Sequence, residues 1–144
     1  MRTIIQITVD KIKFIAHRLA IDTMSWDEPI PEFETRFPNI LESCIMTPFQ
    51  KFNKKYLYPG LIAKTAILFY LLIKNHPFQN GNKRIAITTL LIFLYLNKKW
   101  LSVDKKVLYN TAVWVAQSPP EAKEEIVKYT EKFIKKNIQD LSQN

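Results

Sequence analysis

The sequence predicts an all-α protein, and two observations lead to that prediction. Apolar side chains recur at helical spacing along most of the chain. Residues 59–75 are apolar nearly all round and residues 85–96 form an apolar run, as expected of buried core helices. The chain has 144 residues with 47% hydrophobic content, which is enough for one domain with its own core. We therefore expect a single domain over residues 1–144.

The other elements are predicted from apolar spacing and cap residues. Helices are expected over residues 10–21, capped by Thr8, and over residues 39–52 and 104–117, with a short extended link at residues 100–103. The last helix is expected to begin after Ser118, because Ser118 and Glu121 match a capping box and Pro119 suits the first helical position.

Residues 22–38 differ from the rest of the chain. Pro29, Pro31 and Pro38 exclude a long helix there and favour extended backbone. A proline-rich surface loop is one interpretation of this segment, and a second interpretation comes from the family resemblance described below.

The composition argues against a disulfide-bonded, secreted or membrane-spanning protein. The single cysteine, Cys44, cannot form an internal disulfide, and we expect it to pack in a helix rather than act as a nucleophile. No signal peptide is recognised at the N-terminus, and the apolar run 85–96 is shorter than the ~20 residues that cross a bilayer. We expect a cytoplasmic protein with no membrane partner.

The net charge of +8 suits an anionic partner or simply good solubility. The lysines are scattered, and near the C-terminus they alternate with glutamates, as on a solvated helix face. No helix-turn-helix, zinc-ligand or RNP-type pattern is present, so a nucleic acid is not the partner we expect.

The most informative segment is residues 76–84, with the sequence His-Pro-Phe-Gln-Asn-Gly-Asn-Lys-Arg. It leads into the predicted helix 82–97, and the start of a helix presents unpaired backbone N–H groups and a positive dipole end. Lys83 and Arg84 add positive charge at the same place, which predicts an anion site, most simply for phosphate. Histidine is the usual general base for deprotonating a hydroxyl, so His76 is the candidate base.

A simpler interpretation of each residue exists. Lys83 or Arg84 alone is more typical of a solvated helix start, and a lone histidine such as His17 is more often structural. The combination is different, because Gly81 permits close approach of a ligand and is one of only two glycines in the chain. Taken together, the nine residues favour a phosphate site.

These residues resemble the signature of the Fic/Doc superfamily, His-x-Phe-x-(Asp/Glu)-Gly-Asn-(Gly or Lys)-Arg. The segment is most similar to the death-on-curing (Doc) branch, which has Asn-Lys-Arg where AMP-transferring Fic proteins have Asn-Gly-Arg. The similarity extends over about residues 10–136, including Tyr58-Pro59 and residues 93–97. It implies a Fido helical bundle around a central helical hairpin, with a β-hairpin flap at about residues 24–38 that pairs with an extended stretch of the target protein.

The resemblance also implies a role for each motif residue. His76 matches the general base. The nucleotide and its phosphates are expected at Phe78, a buried aromatic that holds the loop, at Gly81 and Asn82, and at the cations Lys83 and Arg84. Lys83 and Arg84 are also expected to be catalytic, because they match the cations that stabilise charge on a transferring phosphoryl group.

Two positions depart from the family pattern. The family's Mg²⁺-binding Asp or Glu is Asn80 here, and a neutral amide oxygen is a weaker Mg²⁺ ligand than a carboxylate. The second arginine of AMP-transferring Fic proteins is replaced by Ile87. In Doc-like proteins, a lysine at the position that matches Lys83 is associated with a nucleotide bound in the reverse orientation. The γ-phosphate then faces the histidine.

The resulting hypothesis is a Doc-like toxin of a toxin–antitoxin system. It predicts phosphoryl transfer from ATP or another NTP, with Mg²⁺, to a Ser/Thr hydroxyl of a target protein of the translation-factor type, with arrest of growth. The alternatives are Fic-type AMP transfer and a catalytically weak binding module. The inhibitory motif (Ser/Thr)-x-x-x-Glu-(Gly/Asn) does not occur in the 144 residues, so inhibition is expected from a separate, acidic antitoxin chain.

Overall fold

Six helices and two short β-ribbons form the structure, a computed structural model that describes residues 3–141. The helices are α1 (residues 9–23), α2 (Pro38–Met46), α3 (Gly60–Lys74), α4 (Asn82–Leu96), α5 (Lys105–Gln117) and α6 (Lys123–Asn137). The strands are β1 (Lys51–Phe52), β2 (Lys55–Tyr56), β3 (Lys99–Leu101) and β4 (Ile138–Asp140). The prediction of a mainly helical fold around a helical hairpin is confirmed.

Helices α3 and α4 form the centre of the bundle. They pack against each other, α5 and α6 both pack against α3, and α1 and α5 pack against α4. Every residue from Lys64 to Ile73 is buried, which explains why this segment is apolar nearly all round. Cys44 is also buried, and burial raises the pKa of its thiol to about 11, so its predicted packing role is confirmed.

Helix α1 contains a π-helical turn over Ile12–Ala16 between two α-helical parts. The Thr8 side chain accepts a hydrogen bond from the Lys11 N–H, as the cap prediction requires. After the π turn, His17 is buried, and its ring Nε2 lies 2.9 Å from the carbonyl oxygen of Pro31. His17 therefore has a structural role, as the sequence suggested, and it anchors the segment that follows α1.

The predicted β-hairpin is present, but it lies at β1–β2 rather than in residues 24–38. Lys51 pairs with Tyr56 and Phe52 pairs with Lys55 in antiparallel register. Asn53 and Lys54 between them both have positive φ, the geometry of a two-residue turn that matches strand twist. Residues 24–37 contain only a 3₁₀ turn at Phe33–Thr35, since prolines lack the N–H that a strand ladder needs, and Pro38 begins α2.

Two helix boundaries differ from the prediction. The predicted helix over residues 39–52 ends at Met46, and a 3₁₀ turn containing Pro48 leads into the hairpin. The predicted capping box at Ser118 is wrong, because the Ser118 hydroxyl donates to the Val115 carbonyl at the end of α5. Helix α6 starts only after a 3₁₀ turn at Pro120–Ala122.

The extended link predicted at residues 100–103 overlaps strand β3, which pairs antiparallel with β4 after α6. Asp104 caps α5 by accepting a hydrogen bond from the Lys106 N–H. Within residues 3–141, none of the helices has the length and apolar content needed to cross a membrane.

Candidate functional site

The motif loop begins where α3 ends. Asn75 is the C-cap of α3, and His76 follows with φ of +50°, a left-handed conformation that is uncommon for a residue with a side chain. His76 is exposed, whereas Phe78 is 2% exposed and packs against Phe33 with ring centroids 5.8 Å apart. The buried aromatic thus holds the loop on the core while the imidazole stays accessible, and strained backbone of this kind is often found at functional sites.

Asn82 shapes this loop with its side chain. Its Oδ1 accepts from the Phe78 N–H at 2.9 Å, and its Nδ2 donates to the Phe78 carbonyl at 2.8 Å. The same Nδ2 lies 3.4 Å from Nδ1 of His76, and an amide nitrogen only donates, so Nδ1 is the acceptor and a neutral ring carries its proton on Nε2. The Asn82 side chain therefore orients the loop and the imidazole, which leaves its backbone N–H for an anion.

The N-terminus of α4 lies directly after Gly81 and has no side-chain cap. Along α4, the first backbone N–H with a helical hydrogen bond is that of Ile85, which donates to the Gly81 carbonyl at 2.9 Å. The N–H groups of residues 82–84 consequently have no helical partner, as at the start of any α-helix. These groups and the helix dipole favour an anion.

A pocket of about 230 Å³ lies at this helix start. It brings together six of the seven predicted site residues, namely His76, Asn80, Gly81, Asn82, Lys83 and Arg84. Phe78 lies beneath the loop rather than in the pocket wall. The imidazole and the two cations that the sequence placed together are therefore neighbours in space.

The two cations have different environments. Lys83 is half-buried, and its ammonium group has no hydrogen bond or ion pair to any of residues 3–141. Arg84 is 3% exposed, and its Nη1 donates to the carbonyls of Met24 (3.0 Å) and Trp26 (2.9 Å). Its Nη2 donates to the carbonyl of Glu28 at 2.7 Å. Neutral carbonyls do not cancel the buried charge, so both cations make the pocket attractive to an anion.

Residues 24–31, called the covering segment from here on, lie over the motif loop. Besides the bonds from Arg84, Asn80 Nδ2 donates to Glu28 Oε2 at 3.4 Å and to the Pro29 carbonyl at 3.3 Å. Gly81 has φ of +79°, and a Cβ placed on it would lie 2.9 Å from Cγ1 of Ile30. The glycine is thus required both by its backbone conformation and by the close approach of Ile30.

The residues present fit Mg²⁺ only in part. Asn80 uses its amide nitrogen on the covering segment, which leaves Oδ1 as a neutral oxygen donor. Within the described residues, no three His, Cys, Asp or Glu side chains come together as a metal-binding group. At the motif position the protein therefore offers one neutral ligand, with the Asp27 carboxylate in the same pocket wall, and a bound ion would depend on phosphate oxygens for most of its coordination.

The sequence analysis missed part of the pocket wall, namely Asp27, Ile73, Gln79, Tyr109 and Ala116. Gln79 lies within the motif 76–84 and Asp27 within residues 22–38, but neither was assigned a role, and Asp27 has φ of +74°. Tyr109 and Ala116 come from α5, and no local pattern distinguishes them from other residues of that helix. A larger cleft of about 1040 Å³ lies by Leu96, at the far end of α4 some 20 Å from the motif, and contains no motif residue.

Comparison with known proteins identifies the family of this chain. The model of the Fic/DOC family matches residues 6–94, well over half of the chain, and this range includes the motif and the covering segment. No curated protein and no solved structure matches the chain significantly. The chain belongs to the Fic/DOC family.

Proposed function

We propose that this protein is a Doc-like toxin, which transfers the γ-phosphoryl group of ATP or another NTP to a Ser/Thr hydroxyl of a target protein. One observation carries the proposal. The exposed imidazole of His76 shares a pocket with the unpartnered ammonium group of Lys83, at the uncapped start of α4. That arrangement places a base beside a phosphate cradle, as transfer to a hydroxyl requires.

In the proposed reaction the target hydroxyl lies against the imidazole of His76. The hydroxyl oxygen forms a bond to the γ-phosphorus, its proton passes to the neutral ring, and the bond between the γ-phosphorus and the bridging oxygen breaks. The nucleoside diphosphate leaves with that electron pair. Lys83 and the N–H groups of residues 82–84 stabilise charge on the phosphoryl oxygens as this happens.

Two residues favour phosphoryl transfer over AMP transfer. Ile87, at the position of the second arginine, is 1% exposed within α4, so no cation reaches the phosphates from there. Lys83 lines the pocket where AMP-transferring Fic proteins have glycine, and the resemblance implies that the smaller glycine is what leaves room for the α- and β-phosphates there. Both features suit a nucleotide bound with its γ-phosphate towards His76.

Mg²⁺ would be held by Asn80 Oδ1 together with nucleotide phosphates. When bound it would neutralise phosphate charge. The neutral ligand at Asn80 also supports a second candidate, a binding module that retains the fold with weak catalysis. In that candidate the nucleotide binds and transfer is negligible.

Labelled nucleotide distinguishes the candidates. Cell lysate is incubated with the protein and ATP carrying label at either the α- or the γ-phosphate, and labelled protein is detected on a gel. Label from the γ-position only supports phosphoryl transfer, and label from the α-position contradicts it in favour of AMP transfer. Absence of both, with nucleotide binding intact, supports the binding module.

His76→Ala is the essential control in this assay. The side chain is exposed, so its removal should leave the fold intact while abolishing labelling. Residual labelling above about one hundredth of the parent rate would show that another group acts as base, because a general base contributes roughly 10²–10⁴-fold.

The toxin role includes a target of the translation-factor type and a separate acidic antitoxin, both in the cytoplasm. The charge of +8 supports an acidic inhibitor. Expression of the chain should arrest growth, and co-expression with the neighbouring open reading frame should relieve the arrest. Arrest by His76→Ala as strong as by the parent chain would contradict the proposed mechanism.

A further inference from the structure

An aromatic pair stands at the edge of the pocket. Tyr109 on α5 forms part of the pocket wall, and the ring of Trp26 from the covering segment meets it edge to face, with centroids 5.8 Å apart and an interplanar angle of 85°. Trp26 is 42% exposed, so much of its indole surface is uncovered. Asp27, which follows Trp26 in the sequence, lines the pocket. Arg84, whose guanidinium donates to the Trp26 carbonyl, lines it as well.

We propose that Trp26 and Tyr109 form a stacking surface for the heteroaromatic base of the nucleotide. This inference rests on the proposed function and adds the part of the site that recognises the base. The phosphate end of the pocket consists of polar and cationic groups, whereas Trp26 and Tyr109 form an amphipathic aromatic edge beside it. Aromatic side chains stack on any planar base, because every base has a π-face.

The size of the pocket supports separate binding places for the phosphates and for the base. Its volume of about 230 Å³ lies below the roughly 300–1,000 Å³ of sites that enclose a whole small-molecule ligand. It accommodates phosphate groups, and the remainder of a nucleotide has to extend past the rim. The exposed indole of Trp26, in contact with the half-buried ring of Tyr109, presents an aromatic surface at that rim.

The hydrogen bonds of Arg84 hold the stacking surface in place. The Arg84 guanidinium donates hydrogen bonds to three backbone carbonyls, those of Met24, Trp26 and Glu28. The backbone that carries the indole is therefore held beside the phosphate cradle by the same residue that adds charge to the cradle. A preorganised surface of this kind binds its ligand with a smaller loss of conformational entropy.

The test compares a nucleotide with a probe that lacks a base. Binding of ATP and of inorganic tripolyphosphate to the full chain is measured by titration calorimetry at one Mg²⁺ concentration. Trp26→Ala and Tyr109→Ala should weaken ATP binding about tenfold, since stacking of one base is commonly worth that much, and should change tripolyphosphate binding less than twofold. Trp26→Phe should retain most of the ATP affinity, because a smaller aromatic ring still stacks.

Trp114 provides a matched control. It is 41% exposed, lies on the same helix as Tyr109 and contacts Tyr129 with ring centroids 4.6 Å apart. Tyr129 does not line the pocket, whereas Tyr109, the partner of Trp26, does. Trp114→Ala should leave both affinities unchanged. In a Trp100→Phe/Trp114→Phe background, ATP should quench the fluorescence of Trp26 and tripolyphosphate should not.

The outcomes separate this inference from the proposed function. Equal losses of ATP and tripolyphosphate binding in Trp26→Ala would show that the indole only supports the covering segment, and would overturn the stacking role. Unchanged ATP affinity in both alanine variants, with an increased KM for the target protein, would assign the aromatic edge to the target instead. In either case the parent chain still binds both probes, whereas a parent chain that binds neither contradicts the nucleotide site itself.

Discussion

The Arg84 guanidinium donates a hydrogen bond of 2.7 Å to the backbone carbonyl of Glu28, a residue 56 positions earlier in the chain. Two further bonds reach the carbonyls of Met24 and Trp26. A motif cation that the sequence associates with phosphate thus also secures the segment over the pocket. Lys83, its neighbour in sequence, has no such partner within residues 3–141. Substitutions of these two cations should therefore affect different properties.

Lys83→Gln is expected to change phosphate affinity and to leave stability almost unaltered, within about 0.5 kcal/mol, because the side chain is half-buried and unpartnered. Arg84→Gln should lower the free energy of unfolding by about 2–4 kcal/mol, since buried carbonyls lose charged donors. Urea unfolding and tripolyphosphate titration measure the two quantities. Equal loss of stability in both variants would contradict the distinction.

Gly81→Ala should cost more stability than Gly60→Ala. Both glycines have positive φ, near +80°, where alanine costs about 1–2 kcal/mol. A Cβ on Gly60 meets nothing within 4 Å, whereas one on Gly81 meets Ile30, which should add about 1–3 kcal/mol. Denaturant midpoints give the difference. Ile30→Ala in the Gly81→Ala background should recover part of the loss, and no recovery would rule out the clash as its cause.

His17 should make stability dependent on pH. Burial lowers the pKa of this imidazole below its ordinary 6.5, against the opposing effect of its hydrogen bond to Pro31. Between the lowered folded-state pKa and 6.5 the unfolded chain binds more protons, so the unfolding free energy rises with pH there. On acidification from pH 7.5, stability should start to fall near pH 6.5 and continue to fall until the folded-state pKa is passed.

His17→Gln keeps a neutral donor for the Pro31 carbonyl and removes the titrating group. The variant should be less stable than the parent at pH 7.5, through loss of the ring contacts with Phe33 and Phe78. Its unfolding free energy, from urea curves at each pH, should fall less between pH 6.5 and 5. Parallel pH profiles for the two proteins would show that His17 contributes nothing.

Asn80→Asp should strengthen Mg²⁺ binding to the complex with nucleoside diphosphate by about tenfold or more, because a carboxylate replaces a neutral amide oxygen. It should also loosen the covering segment, since Asp loses the donor to Pro29 and repels Glu28. Titration with Mg²⁺ and limited proteolysis measure the two effects. Asn110→Asp adds the same charge at an exposed site outside the pocket and should do neither.

Local features of the fold were predictable from the sequence. The limits of α3 and α4, the cap at Thr8 and the buried Phe78 all agree with the structure to within about a residue. The capping box at Ser118 and the position of the β-hairpin were wrong. At Ser118 the local pattern admitted two conformations, and the adjacent prolines selected a 3₁₀ turn. The hairpin position came from the family resemblance, whereas the proline-rich loop that the residues themselves indicated agrees with the structure.

The amino-acid sequence by itself determined the helical hairpin and the composition of the phosphate-binding loop, because both depend on residues within a few positions of one another. Only the tertiary structure decided that Arg84 also holds the covering segment, that Asn82 orients the imidazole, and that Tyr109 lies beside them. Such pairings join residues of different elements, many of them tens of positions apart. Their selection depends on how the helices pack, and no local pattern records it.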